Sequence, residues 1–285
     1  MNTKNGDQIT VILNSNIKEE ENGTIKTRST LLDISELKKA RQKMEAQKEE
    51  LEQANRELEQ FVSICSHDLQ EPLSTIRFGS DILKKNFTDQ LDPKGKDYIN
   101  YIHKASKRLG NQIKALLEYS RIGQEREKTT VNLKETVELV KYDLAKRIRE
   151  CKAKITTSKL PKIEGYETEL RLLFQNLIGN ALKYCKKDVP PDIRISSFKD
   201  GDYHIFSVAD NGVGIPEEDK ENIFKIFGRS SQHLDINGTG VGLTHCEKIV
   251  KLHGGRMWVD SQLGVGSTFH FKLQAEKRVP KVKQD

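Results

Sequence analysis

Apolar residues recur every seven positions at Leu37, Met44, Leu51, Leu58 and Cys65, within a stretch rich in Glu, Lys and Gln that begins at Ser35. That period is one seam of a coiled coil. The other seam is poor: one candidate line holds Ala40, Gln47, Ala54 and Phe61, the other Arg41, Lys48, Asn55 and Val62. A coil built on these positions is weak or adjustable. Upstream, "QITVILN" and "TIKTRSTLLD" alternate as strands do, separated by the acidic turn segment "IKEEENG". They predict a hairpin with too little core to stand alone. Downstream, at 100° per residue, Leu58, Val62, Cys65, Leu69, Leu73 and Ile76 fall within a sector of about 80°, the face expected to be buried. His67 lies roughly opposite. Pro72 leaves the carbonyl of residue 68 without its donor and crowds it, so the helix should bend or loosen around His67 and Asp68.

A second helix is expected over about residues 94–121, with Tyr98, Ile102, Ala105, Leu109, Ile113, Leu116 and Ser120 at spacings of three and four. The polar "KKNFTDQLDPKG" joins it antiparallel to the first. Two such hairpins, one per subunit, would close a four-helix bundle, which predicts an obligate homodimer.

From about Thr129 to Leu273 helical and strand patterns alternate, and glycines gather in "DNGVGIP", "NGTGVGLTH" and "LGVGSTFHF". Before them, in "ELRLLFQNLIGNALKYC", Leu170, Leu173, Phe174, Leu177 and Ala181 form a buried stripe, while Asn176, Asn180 and Lys183 line an adjoining face at i, i+4 and i+7. Asparagines lower helix stability, so a face carrying two suggests chemistry. An amide oxygen suits Mg²⁺, and a nearby ammonium suits the phosphates that metal bridges. In "DYHIFSVADNGVG", alternation puts Asp210 on the side of Phe206 and Val208. A buried acid wants a donor, such as the amine of adenine, and Gly212 and Gly214 would let the base approach. In "GTGVGL", Gly238, Gly240 and Gly242 allow backbone N–H groups to converge on an anion just before a helical run near Leu243. The spacing is neither that of a P-loop nor that of a dinucleotide fingerprint.

Composition narrows the classes. The 285 residues are 35% hydrophobic and 32% charged, enough for two modules with real cores. No apolar run reaches the roughly 20 residues of a membrane helix, and "MNTKNGDQIT" is no secretory signal, so a cytoplasmic chain without a membrane span is expected. Cys65, Cys151, Cys185 and Cys246 form no CxxC pair and read as reduced thiols. The net charge of +6 is scattered, which argues against a nucleic-acid partner.

Together these motifs resemble one family, the sensor histidine kinases of two-component signalling. "HDLQEPL" looks like the phosphoacceptor box, "NLIGNALKY" the asparagine box, "DNGVGIP" and "GTGVGL" glycine boxes, "IFKIFGR" the phenylalanine box and "GVGSTF" the last glycine box, all in family order between about Gln60 and Leu273. The resemblance implies an α+β chain: a helical hairpin dimerising into a four-helix bundle, then an α/β sandwich that binds ATP, of the type shared with DNA gyrase B and heat-shock ATPases. Residues 1–34 are similar to the closing hairpin of a PAS domain. The implied order continues with a signalling coil over 35–60, a dimerisation and phosphotransfer domain over 61–125, a catalytic domain over 129–275 and a basic tail over 276–285.

The same likeness implies roles. His67 would attack the γ-phosphoryl of ATP with Asp68 as base or orienting partner, then pass the phosphoryl group to an aspartate of a response-regulator receiver domain. Asn180, assisted by Asn176, would hold Mg²⁺. Lys183 and the loop from Gly238 through Thr239, Gly240 and Gly242 to Leu243 would hold phosphates, Tyr184 would lie near the nucleotide, and Asp210 would read adenine. Phe224 and Phe227 would anchor a lid over residues 228–237. His233, His245 and His253 carry no metal pattern and are expected at the surface or in the core. Glu71 stands where many members carry Thr or Asn, which implies weak phosphatase activity. A clamp-type ATPase without covalent transfer and an idle dimeric scaffold are the alternatives. The box around His67 argues against the first and the completeness of the boxes against the second.

Overall fold

The structure is a computed structural model, and it describes residues 9–19, 25–124, 127–230 and 239–275. The chain divides into two units, residues 1–61 and 62–285. In the first, β1 (Val11–Glu19) pairs antiparallel with β2 (Ile25–Asp33), in register from Val11 opposite Asp33 to Glu19 opposite Ile25. The strand therefore runs on through Ile17, Lys18 and Glu19, where the sequence suggests a turn. Ladder bonds use the backbone, so polar side chains do not stop them. The remainder of that acidic segment lies outside the described residues. Ser35 receives the Thr10 N–H on its hydroxyl at 2.8 Å, and its own N–H donates to Asp33 Oδ1 at 2.9 Å. These bonds tie the hairpin to the start of α1 (Ser35–Asn86). Leu37, Met44 and Leu51 of the heptad seam are all exposed.

In the second unit, α1 passes through Pro72 without interruption. A proline removes one N–H donor, and the bonds on either side keep the helix continuous. Helix α2 (Pro93–Arg121) starts with Asp92, whose Oδ1 accepts the Gly95 N–H at 2.7 Å, and with Pro93 in the first turn, where no N–H is needed. The face expected to be buried on α1 is open in the single chain: Leu69 and Ile76 are about half exposed, as are Ile102 and Leu109 on α2. Two helices alone cannot cover both stripes. Buried with Ile113 and Ala115 of α2 are the serines Ser66, Ser80, Ser106 and Ser120. The hydroxyls of the last three bond carbonyls three residues back, at 2.7, 3.0 and 2.9 Å.

An α/β module follows, with β3 (Thr129–Asn132), α3 (Leu133–Asp143), α4 (Ala145–Glu150), β4 (Lys154–Thr157), β5 (Lys162–Gly165), α5 (Glu167–Lys183), β6 (Asp192–Asp200), β7 (Tyr203–Asp210), α6 (Gly242–Leu252), β8 (Arg256–Gln262) and β9 (Gly266–Gln274). Five strands form one sheet in the order β4-β6-β7-β9-β8, parallel only between β4 and β6, and β3 pairs with β5 apart from it. One face of the sheet carries Phe206, Val208, Phe269 and Phe271 into a core shared with α3, α5 and α6. The Phe206 and Phe271 rings stack at 4.9 Å, and Phe174 of α5 meets Phe271 edge-on at 5.8 Å. The α5 stripe is buried throughout and is wider than its periodicity suggests. Ile178 and Leu182 are buried as well, because α3 and α6 flank the helix. Among the described residues no helix is long and apolar enough to cross a membrane, and all four cysteines are free thiols.

His245 and His253 are core histidines. His253 Nδ1 lies 2.8 Å from the Ile249 carbonyl, and its Nε2 accepts the Tyr166 N–H at 3.0 Å. Only a neutral ring protonated on Nδ1 satisfies both contacts. The backbone approaches so closely that a Cβ on Gly165 would stand 2.7 Å from Nε2. Burial holds the imidazole below its ordinary value, as does Lys128, while the Ile249 carbonyl and Glu169 oppose the shift. Burial depresses His245 likewise. For a depressed histidine, stability is fully present above the unfolded value of about 6.5 and is lost as pH falls from there through the folded value. The urea midpoint of the module is therefore expected to drop between about pH 7 and about pH 5.5, and to drop less in His253→Gln. Equal pH slopes in the two proteins would assign the titration elsewhere.

Candidate functional site

A cavity of about 370 Å³ opens between α5, the end of β7 and the start of α6. Asn176, Asn180, Lys183 and Tyr184 reach it from α5 and its C-terminal cap. Asp210 and Gly214 come from β7 and the turn after it, and Thr239, Gly240, Gly242 and Leu243 from the loop that opens α6. Ten positions distant in sequence thus share one wall-to-wall site. Gly238 and lid residues 231–237, with His233 among them, lie outside the described residues. Gly228, Arg229 and Ser230, the described part of the expected lid, line the cavity.

Asp210 ends its strand beside buried Phe206 and Val208, as strand alternation requires. Its Oδ1 accepts the N–H groups of Gly212 at 2.8 Å and Ser267 at 3.3 Å. Burial pushes the carboxyl up, while those two donors and the Lys186 ammonium pull it down. Among the described residues Oδ2 has no partner, so the acid offers one acceptor to whatever fills the cavity.

The glycines of "DNGVG" act on the protein more than on a ligand. Gly212 does not line the cavity, and a Cβ there would stand 2.7 Å from Asp210 Oδ1. Gly214 has φ +76°, and a Cβ would strike the Gln262 carbonyl. Both are needed to fold the turn that presents Asp210. Gly240, at φ +73°, would meet the Phe227 backbone at 2.8 Å with a Cβ, so it packs the loop on the segment at Phe227. Phe224 packs against the core, and its carbonyl accepts the Thr244 hydroxyl at 3.1 Å, whereas Phe227 is partly exposed.

On α5, the Lys183 ammonium donates to the Tyr184 hydroxyl at 2.7 Å and lies 4.3 Å from its ring centroid. The tyrosine orients this cation. Asn176 Nδ2 is buried without a hydrogen-bond partner among the described residues, and its Oδ1 lies 3.1 Å from where a Gly242 Cβ would be. A side chain at 242 would hold α6 away from α5. Arg147 on α4 lines the cavity and carries no motif signal, whereas Arg229, the last residue of "IFKIFGR", lines it from within the expected lid. Among the described residues no three His, Cys, Asp or Glu side chains cluster as a metal site, so a cation here would rest on amide oxygens.

His67 and Asp68 are not part of this cavity. They stand on α1 with side chains 81% and 72% exposed, His67 Nδ1 being 3.3 Å from Asp68 Oδ1. The site residues therefore fall into two groups: an open imidazole paired with an acid on a helix, and a cavity with an unmatched carboxylate oxygen.

Residues 57–125 match the His Kinase A (phospho-acceptor) domain, and residues 165–277 match the histidine kinase-, DNA gyrase B- and HSP90-like ATPase. Cyanobacterial phytochrome A of Nostoc sp. is 37% identical over 225 residues, covering 79% of this chain and 29% of that protein. Phytochrome-like protein Cph1 of Synechocystis sp. is 35% identical over 224 residues, covering 78% and 30%. The chain thus spans under a third of the length of these curated relatives. Among solved structures, histidine kinase ThkA in complex with response regulator protein TrrA superposes with a TM-score of 0.52 at 26% identity, covering 93% of this chain and 75% of that one. With a phospho-acceptor helical hairpin ahead of an ATPase module of this type, the chain belongs to the sensor histidine kinases.

Proposed function

We propose that the chain is an ATP-dependent protein-histidine kinase that phosphorylates itself on His67 and hands the phosphoryl group to an aspartate of a response-regulator receiver domain. The observation that carries this reading is the pairing of an exposed His67–Asp68 couple with a separate cavity in which Asp210 keeps one oxygen unmatched. That oxygen would accept the adenine amine. With Nδ1–H directed to Asp68, the Nε2 lone pair of His67 is the nucleophile. An N–P bond forms at Nε2 as the bond from the γ-phosphorus to the bridging oxygen breaks, ADP leaves with that electron pair, and Asp68 draws off the Nδ1 proton.

Catalysis of this kind is mostly positioning. Lys183, held by Tyr184, and the loop at Thr239, Gly240 and Gly242 would bind the phosphates. Gly238 and Leu243 belong to the same proposed cradle, and Gly212 and Gly214 support it by shaping the turn under Asp210. Asn180, with Asn176, would hold Mg²⁺, which offsets polyphosphate charge when bound. The amide oxygens fit this hard cation when phosphates complete the set.

The wider organisation is proposed as well. Residues 1–34 would be the end of a PAS domain, 35–60 a signalling coil, 61–125 the dimerisation and phosphotransfer domain, 129–275 the catalytic domain and 276–285 a basic tail, in a cytoplasmic homodimer. The bare apolar faces of α1 and α2 support dimerisation, and the solved partner of ThkA supports the class of downstream protein. Incubation with γ-labelled ATP and Mg²⁺ tests the reading. Acid-labile, base-stable label on the protein is expected, whereas phosphate release without label would make the chain a clamp-type ATPase.

A further inference from the structure

A second cavity, of about 190 Å³, lies between α2 and the beginning of α6. Lys114, Ala115 and Glu118 line it from α2. Asn176, Thr239 and Gly242 line it from the other side, and all three also line the first cavity. The two spaces therefore meet at the loop proposed to hold phosphates. Side-chain contacts keep α2 against α6 there. His245 Nε2 lies 3.0 Å from the Ala115 carbonyl in a buried contact, and Lys248 Nζ donates to the Tyr119 carbonyl at 2.8 Å while lying 4.5 Å from the Tyr119 ring centroid. Lys114, next to the anchored Ala115, is thereby held at the junction. It is exposed and, among the described residues, makes no salt bridge, although Glu118 lies one turn on. The buried Asn176 Nδ2 at the same junction also lacks a partner among the described residues. A cation and an amide donor thus line one polar space, which the Glu118 carboxylate also lines.

We infer that Lys114 of α2 contacts the terminal phosphate of a bound nucleoside triphosphate, so that the helical hairpin itself distinguishes a triphosphate from a diphosphate. The inference rests on the nucleotide-binding reading above. With the base at Asp210 and the first phosphates at the α6 loop, the group that reaches the junction is the last phosphate, which a diphosphate lacks. An ammonium suits it as a point charge and requires no fixed geometry. In the full chain, Lys114→Ala is expected to weaken binding of AMPPNP about fivefold, as befits one partly solvated charge contact, and to leave ADP binding unchanged. Lys114→Arg is expected to restore most of the difference. Isothermal calorimetry with both nucleotides reads this directly, and Asp210→Asn serves as the reference. Equal loss for ADP and AMPPNP, or no loss for either, in a background where Asp210→Asn abolishes both, would overturn the role of Lys114 alone. Undiminished binding in Asp210→Asn would overturn the nucleotide reading, and the role of Lys114 with it.

Discussion

Replacing Asp210 with Asn is expected to lower nucleotide affinity by about two orders of magnitude while leaving the fold as stable as before or more so. The Asn side chain keeps an Oδ1 that can accept from Gly212 and Ser267, so the turn is preserved. The change falls on the cavity side, where an acceptor becomes an N–H donor and faces the donor amine of adenine. Stability moves the other way. Burial raises the Asp210 carboxyl above its ordinary value, so the folded state binds a proton more readily than the unfolded one. Stability then falls as pH rises through that window, and near neutrality the carboxylate is a net cost that the amide relieves. Calorimetry with ATP and a thermal scan without it separate the two effects. A variant that loses affinity and also melts earlier would mean that Asp210 is structural.

Replacing His67 with Gln is expected to reduce phosphoryl label on the protein to background, a loss of more than about a thousandfold, with ATP affinity unchanged. Gln suits an exposed helix position and supplies no nucleophile. At 81% exposure and outside the cavity, the His67 side chain has no part in holding nucleotide. The hairpin has another histidine, His103, but its Nδ1 is 3.0 Å from Asp81, its ring is mostly buried, and Ser80 lies 3.4 Å away. It is committed to joining α1 and α2. Label that persists at the wild-type level in His67→Gln would move the acceptor to a residue such as this one and end the present assignment.

The parts of this molecule that a one-dimensional pattern can encode were legible before the structure. The α5 stripe follows from period, the direction of Asp210 from strand alternation, and the solvent side of His67 from its angle to Leu69 and Ile76. What escaped depends on contacts between elements. Arg147 enters the cavity because α4 lies beside it, a fact no spacing in "AKRIREC" records. His245 reads as an isolated histidine until α2 brings the Ala115 carbonyl to it, 130 residues away in sequence. The glycines after Asp210 were legible as necessary but not in their reason. Space for a base and space for the Gln262 carbonyl look the same in a string of letters. Pro72 lies inside a helix that runs unbroken over 52 residues, a continuity that its effect on one N–H does not prevent.

In the dimer proposed above, the stripe left bare on α1 and α2 makes the two modules obey different laws of mass action. The α/β module encloses its own core, from Leu170 and Phe174 to Phe206 and Phe271, so its folded fraction is independent of how many molecules are present. The hairpin, with Leu69, Ile76, Ile102 and Leu109 open to water, would complete its core in that dimer, and its stability would scale with the logarithm of protein concentration. Dilution would loosen the helix that carries His67 while the nucleotide cavity stays intact. The abundance of the chain in the cell would then set how much of it can accept a phosphoryl group, before any signal arrives.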